Sequence, residues 1–90
     1  MSLQSKVLNR LRKMPGVWVI KVEVANERGC PDILCCVGGR FCAIEIKEGK
    51  DCLSAIQVEQ LNLIRKAGGA AAVITNFEEF ETYLLCVQSA

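Results

Sequence analysis

The sequence predicts an α/β fold in which a central mixed β-sheet is flanked by helices in the order α-β-β-β-α-β-α, all in one domain, residues 1–90. Three observations point there. Apolar residues recur at helical spacing in three separate segments, and between them lie short runs rich in β-branched and aromatic side chains. A Gly38-Gly39 pair joins two of those runs as a hairpin. A helical segment then separates the third run from the fourth, which implies a crossover and hence a mixed sheet with helices on its faces.

The first helix carries Leu3, Val7, Leu11 and Met14 on one side with Leu8 beside them, and stops at Pro15-Gly16. Its other side repeats Lys6, Arg10 and Lys13, either a solvated face or a stripe that contacts phosphates. "VWVIKVEV", residues 17–24, reads as the first strand, and residues 25–31 turn the chain with Asn, Gly and Pro. "DILCCV" and "RFCAIEIK" are the second and third strands, antiparallel across the glycines, with Asp32 near the end of the third strand and at a distance from the turn corresponding to that of Lys47. "LSAIQVEQLNLIRKAGG" is the second helix. Ile56, Leu61 and Ile64 form its apolar face, Ser54 and Gln57 its capping box, and Gly68-Gly69 its stop. "AAAVIT" is expected as a short buried strand, and Asn76 caps a final helix through "FEEFETYLLCV".

Composition narrows the chemistry. Hydrophobic residues make up 51% and charged residues 23% of the 90, enough for one core, but so small a chain gains from self-association. A net charge of +1 favours no class of partner. The absence of His removes the commonest general base and the commonest transition-metal ligand. Six cysteines, Cys30, Cys35, Cys36, Cys42, Cys52 and Cys86, form no C-x2-C pair, which argues against zinc, and they read as small buried hydrophobes with free thiols. No secretory leader pattern and no apolar run of membrane-spanning length is found, so the expected location is the cytoplasm, away from any membrane.

The informative stretch is "GCPDILCCVGGRFCAIEIKEGK", Gly29 to Lys50. Strand alternation puts Phe41, Ala43, Glu45 and Lys47 on one face of the third strand and Cys42, Ile44 and Ile46 on the other, so the acid and the ammonium project together. With Asp32 from the paired strand, two carboxylates and a lysine converge at one end of the hairpin. Carboxylates held close repel unless a cation stands between them, and oxygen-only ligation by two carboxylates, a strand carbonyl and waters suits Mg²⁺ or Mn²⁺. Lys47 would then steady a nucleophilic water or the charge developing on phosphorus. A blander account makes Asp32 a turn cap and Glu45-Lys47 a surface pair. For the E-x-K alone that account would be preferred; the Pro-Asp, the hairpin and the following helix together favour chemistry.

"GCPDIL", "AIEIK" and "LSAIQVEQLNLIRKAGG" followed by "AVI" resemble the PD-(D/E)XK nuclease superfamily, most closely the stand-alone VRR-NUC domains often carried by bacteriophages, and through them the Holliday-junction resolvases. The resemblance implies a restriction-endonuclease-like core and a Mg²⁺- or Mn²⁺-dependent deoxyribonuclease. It implies Asp32 and Glu45 as metal ligands with the Ile46 carbonyl, Lys47 as the catalytic lysine and Gln57 as the glutamine of the following helix. Gln57 also has a purely structural account in the capping box. Many relatives carry a Glu on the first helix; this chain has Gln4 there and no acid before Glu23, so Glu23 or Glu27 are the candidates to complete the site.

The leading function is therefore hydrolysis of DNA by an endonuclease acting on branched forms such as Holliday junctions or flaps, with no small-molecule cofactor. The alternatives are a catalytically weak nucleic-acid-binding module using Lys6, Arg10 and Lys13, and an interaction domain whose acid-lysine pair is only surface. A homodimer is expected, with an interface on the final helix, where Phe77, Phe80, Leu84 and Val87, widened by Tyr83, Leu85 and Cys86, make more apolar arc than one core face needs.

Overall fold

A computed structural model describes residues 1–89 and carries the expected seven elements. They are α1 (Leu3–Arg12), β1 (Trp18–Lys21), β2 (Ile33–Val37), β3 (Arg40–Ile46), α2 (Ala55–Lys66), β4 (Ala70–Ile74) and α3 (Phe77–Ser89). The sheet order is β1-β2-β3-β4; the first three strands are antiparallel, and β4 runs parallel to β3.

Local chemistry accounts for the boundaries. Ser2 Oγ accepts from the Ser5 N–H at 3.1 Å to open α1, and Lys13 closes it just before Pro15. Gly38 and Gly39 have φ of 59° and 80°, the pair of left-handed residues that a two-residue hairpin of matching twist requires. The Asn76 side chain accepts from the Glu79 N–H at 2.9 Å to start α3.

Two strands depart from expectation. Only Trp18–Lys21 of the predicted 17–24 forms β1, because its partner β2 begins at Ile33 opposite Lys21. The Val22 N–H still donates to the Asp32 carbonyl at 2.8 Å, but Glu23 and Val24 turn into solvent with nothing to pair with. β4, expected to be buried, is an edge strand and mostly half-buried. Arg65 blunts that edge by donating from Nε and Nη2 to the Ala71 carbonyl at 3.3 and 3.0 Å.

The sheet is covered unequally. On one face α1 and α3 close a core in which Val7, Leu11, Phe80 and Leu84 pack against Ile33, Cys35, Cys42 and Ile44. On the other face α2 lies over β4 and buries one of its own residues, Leu61. Trp18, Ile20 and Phe41 are left exposed. Phe80, Leu84 and Val87 are absorbed by the chain's own core, with Phe77 and Tyr83 packed against it, so the surplus on α3 shrinks to Leu85 and Cys86. All six cysteines are free thiols, and among the described residues no helix is long and apolar enough to cross a membrane.

Candidate metal centre

Glu45 lies on the α2 side of β3, next but one to the fully buried Ala43, and is itself only 2% exposed. Asp32 stands one residue before β2. Since Val37 pairs with Arg40 and Ile33 with Ile44, one further step outward sets Asp32 opposite Glu45, not Lys47. The expected correspondence with Lys47 was two residues too long: Asp32 is six positions before Gly38, and Glu45 six after Gly39.

Beyond the last rung of β2, the Asp32 carboxylate takes over the role of a strand. Its Oδ2 accepts from the Ile46 N–H at 2.8 Å. A strand residue directs its N–H and C=O to the same side, so the Ile46 carbonyl also faces the side on which Asp32 sits. The Lys47 N–H donates to the Ile74 carbonyl at 3.0 Å, which ties the end of β3 to β4. The Lys47 ammonium stands 3.9 Å from Glu45 Oε2.

Glu45 is electrostatically unfinished. Burial, and then the neighbouring Asp32 carboxyl, push its pKa up to about 8, with Lys47 only partly opposing them. Its Oε1 is buried and has no hydrogen-bond partner. A buried polar atom left without a partner costs about 1–3 kcal/mol, and more when charged. Two carboxylates with one orphaned oxygen, and a backbone carbonyl on the same side, form an all-oxygen donor set that fits a hard divalent cation.

The other expected residues are distributed more widely. Gln57 completes the capping box: its Oε1 accepts from the Ser54 N–H at 2.9 Å while Ser54 Oγ accepts from the Gln57 N–H at 3.2 Å, which commits the amide oxygen and leaves the amide nitrogen. Gln4 is half-buried in the first turn of α1. Glu23 pairs with Lys21 at 3.2 Å and Glu27 is exposed in the following loop. Among the described residues no three His, Cys, Asp or Glu side chains gather into a metal-holding group, so neither acid completes the pair. Lys6 and Lys13 are exposed, whereas Arg10 is engaged with Glu81 of α3 at 3.4 Å. This basic face belongs to the α1/α3 side of the sheet, opposite the face that carries Glu45. A cavity of about 530 Å³ beside β4, lined by Val73, Asn76, Glu79 and Tyr83 among others, includes none of Asp32, Glu45 and Lys47.

One neighbour of the site was not legible as such, whereas Gly29 makes the backbone turn and close approach expected of a glycine before Pro-Asp. Cys30 lies close enough to Glu45 and Asp32 for both to raise its thiol pKa, after burial, the larger cause. Its place two residues before Asp32 was the available signal, masked by reading every cysteine as apolar filler. Gly29 has φ 78°, and a Cβ there would stand 2.8 Å from the Ile56 carbonyl oxygen and 3.1 Å from the Gln57 nitrogen. The bare backbone thus presses the loop before Asp32 onto the first turn of α2.

Among solved structures, the chain is similar to the Holliday junction resolvase Hjc of the archaeal hyperthermophile Archaeoglobus fulgidus, with 35% identity and a TM-score of 0.61, covering 82% of this chain and 65% of that one. The chain thus spans just under two thirds of the resolvase's length. It is also similar to a VRR_NUC domain, with 22% identity and a TM-score of 0.75, covering 89% of this chain and 87% of that one. No family model and no curated protein sequence matches. Both structures have PD-(D/E)XK-type nuclease folds, and the four-stranded mixed sheet with its α-β-β-β-α-β-α order has that architecture here.

Proposed function

We propose that this chain is a metal-dependent nuclease that hydrolyses DNA phosphodiester bonds, an endonuclease of branched DNA acting as a homodimer in a reducing, intracellular compartment. The observation that carries the reading is the buried, unpartnered Glu45 Oε1 beside Asp32. A carboxylate pair in that state ionises fully only beside a cation, and the donor set fits Mg²⁺ or Mn²⁺. Asp32, Glu45 and the Ile46 carbonyl would hold the ion. When bound, such an ion supplies Lewis acidity toward a phosphate oxygen and lowers the pKa of water.

The chain's own groups do the rest. Asp32 is oriented by the Ile46 N–H, so one of its oxygens is fixed before any ligand arrives. Lys47, anchored through its backbone to Ile74, presents its ammonium on the Glu45 side, where it offsets charge developing on the phosphate. The amide nitrogen of Gln57, left over from the capping box at the turn of α2 against which Gly29 packs, would donate to a phosphate or a water. Branched DNA as substrate draws on the similarity to the archaeal resolvase. A second reading, a DNA-binding module of weak activity, draws on the lack of a third acid at the site.

Labelled four-way junction, flap, splayed-arm and duplex DNAs, each with Mg²⁺, Mn²⁺ or EDTA, test the proposal. Cleavage is expected with either metal, faster on the branched substrates and absent in EDTA. Equal cleavage in EDTA would overturn the metal assignment. Salt-dependent DNA binding with no cleavage in either metal would select the second reading.

A further inference from the structure

Both ends of the free β4 edge are stopped, and its middle is open. The Ile74 carbonyl accepts from Lys47 on the β3 side, so by strand alternation Ala70, Ala72 and Ile74 turn their backbone groups inward while Ala71, Val73 and Thr75 turn theirs away from the sheet. Arg65 holds the Ala71 carbonyl, and the Thr75 N–H donates to Glu79 Oε1 at 2.7 Å. Between them the Val73 N–H and carbonyl have no partner among the described residues. Val73 lines the cavity of about 530 Å³ whose other wall is the flank of α3 carrying Glu78, Thr82 and Tyr83. That wall is tied to the strand, since the Tyr83 hydroxyl donates to the Ala70 carbonyl at 2.6 Å.

We propose that this groove takes a short extended peptide of a partner protein, bearing a basic side chain, whose backbone adds one antiparallel rung at Val73. A hydrogen-bonded antiparallel pair exchanges two bonds through one residue on each strand, and two groups are what Val73 offers. The rung residue then faces the α2 side, as does Val73, the register partner of Glu45, and its two neighbours face α3. There Glu78 is exposed with no cation beside it among the described residues, and no residue lining the cavity is basic. A lysine or arginine next to the rung is therefore the complementary side chain. The same carboxylates repel the phosphates of a nucleic acid. A second copy adding its own β4 meets a different obstacle: pairing of two long strands continues through Ala71 and Thr75, where Arg65 and Glu79 already occupy the edge. The inference goes beyond the nuclease reading and does not depend on it.

The probe is a fluorescein-labelled pentapeptide with blocked ends, Thr-Lys-Val-Lys-Thr, followed by anisotropy and by the amide resonances of isotope-labelled protein. Saturable binding is expected, with the Val73 amide among those that shift most. N-methylation of the central valine should weaken binding at least about 10-fold, because it leaves the Val73 carbonyl unmet. Val73→Pro removes the other bond, with a comparable loss; proline is tolerated where an edge strand's N–H faces outward, and circular dichroism checks the fold. Glu78→Lys should cost the lysine peptide at least about 10-fold and favour a peptide with glutamates in their place. Arg65→Ala should tighten binding about threefold, since the freed Ala71 carbonyl offers a further bond. No saturation below about 1 mM overturns the inference, as does equal binding of the N-methylated peptide. So do shifts confined to the exposed row of Trp18 and Phe41, or a duplex oligonucleotide that moves the Val73 amide more than the peptide does.

Discussion

Two glutamates near the same end of the sheet meet opposite fates. Glu79, in the first turn of α3, is exposed, and its Oε1 accepts from the Thr75 hydroxyl at 2.6 Å and the Thr75 N–H at 2.7 Å. Those bonds hold its pKa below the ordinary carboxylate value. Glu45, on the strand whose last residues are tied to β4, is buried, has one oxygen without a donor, and is pushed up instead. A carboxylate that water and N–H groups already satisfy can serve a helix end and needs no ligand. One that burial has stripped of both is stable as an anion only if a cation completes it.

The largest effects should break the comparison at the cleavage step. Asp32→Ala and Lys47→Ala are each expected to lower the DNA cleavage rate by on the order of 10²-fold or more while the circular dichroism spectrum is kept, whereas Glu79→Ala cleaves like the parent. A Lys47→Ala protein as fast as the parent would remove this end of β3 from the chemistry.

Next in size is the pH dependence of the metal-free protein. With the Glu45 pKa moved from 4.5 to about 8, the native state keeps a proton across that window that the unfolded chain has released. Stability therefore falls as pH rises through it, by a few kcal/mol when complete. Thermal melts in EDTA from about pH 5 to about pH 9 should show this decline, and Glu45→Gln should flatten it. Mg²⁺ should restore stability to the parent at the alkaline end and do little for Glu45→Gln. A flat profile for the parent would show that Glu45 ionises at no cost, and the contrast with Glu79 would disappear.

Gly29→Ala sharpens the picture from the backbone. A methyl group facing the Ile56 carbonyl at 2.8 Å, at a left-handed φ, should cost about 1–3 kcal/mol in chemical denaturation and slow cleavage as well, since it displaces Asp32 relative to α2. Unchanged stability would mean that the loop has room to yield. The smallest effects belong to the α3 cap. Asn76→Ala should lose about 1 kcal/mol without touching cleavage. Glu79→Ala should lose less, and the difference from the parent should be present above the ordinary carboxylate pKa and vanish as pH falls through the depressed folded value. A clear slowing of cleavage in either cap variant would erase the separation between the α3 cap and the Glu45 site.

What the sequence determined by itself was local. The capping box of Ser54 and Gln57, the Asn76 cap, the Gly38-Gly39 turn and the shared face of Glu45 and Lys47 each depend on residues a few positions apart, where helix and strand periods are rigid enough to be counted. The pairing of Asp32 with Glu45 was countable too, from the two-residue turn, and was missed by two positions. Only the tertiary structure decided the rest. β1 stops at Lys21 because its partner strand begins there, Arg10 is drawn to Glu81 because α3 packs beside α1, and Glu45 is buried because α2 and the Gly29 loop close over its end of the sheet while Trp18, Ile20 and Phe41 stay bare. Periodicity tells which side of a strand a residue faces; whether that side is covered, and by what, is set by contacts between elements distant in the chain, and burial is what leaves a carboxylate without water or a donor while an uncovered apolar row stays in solvent.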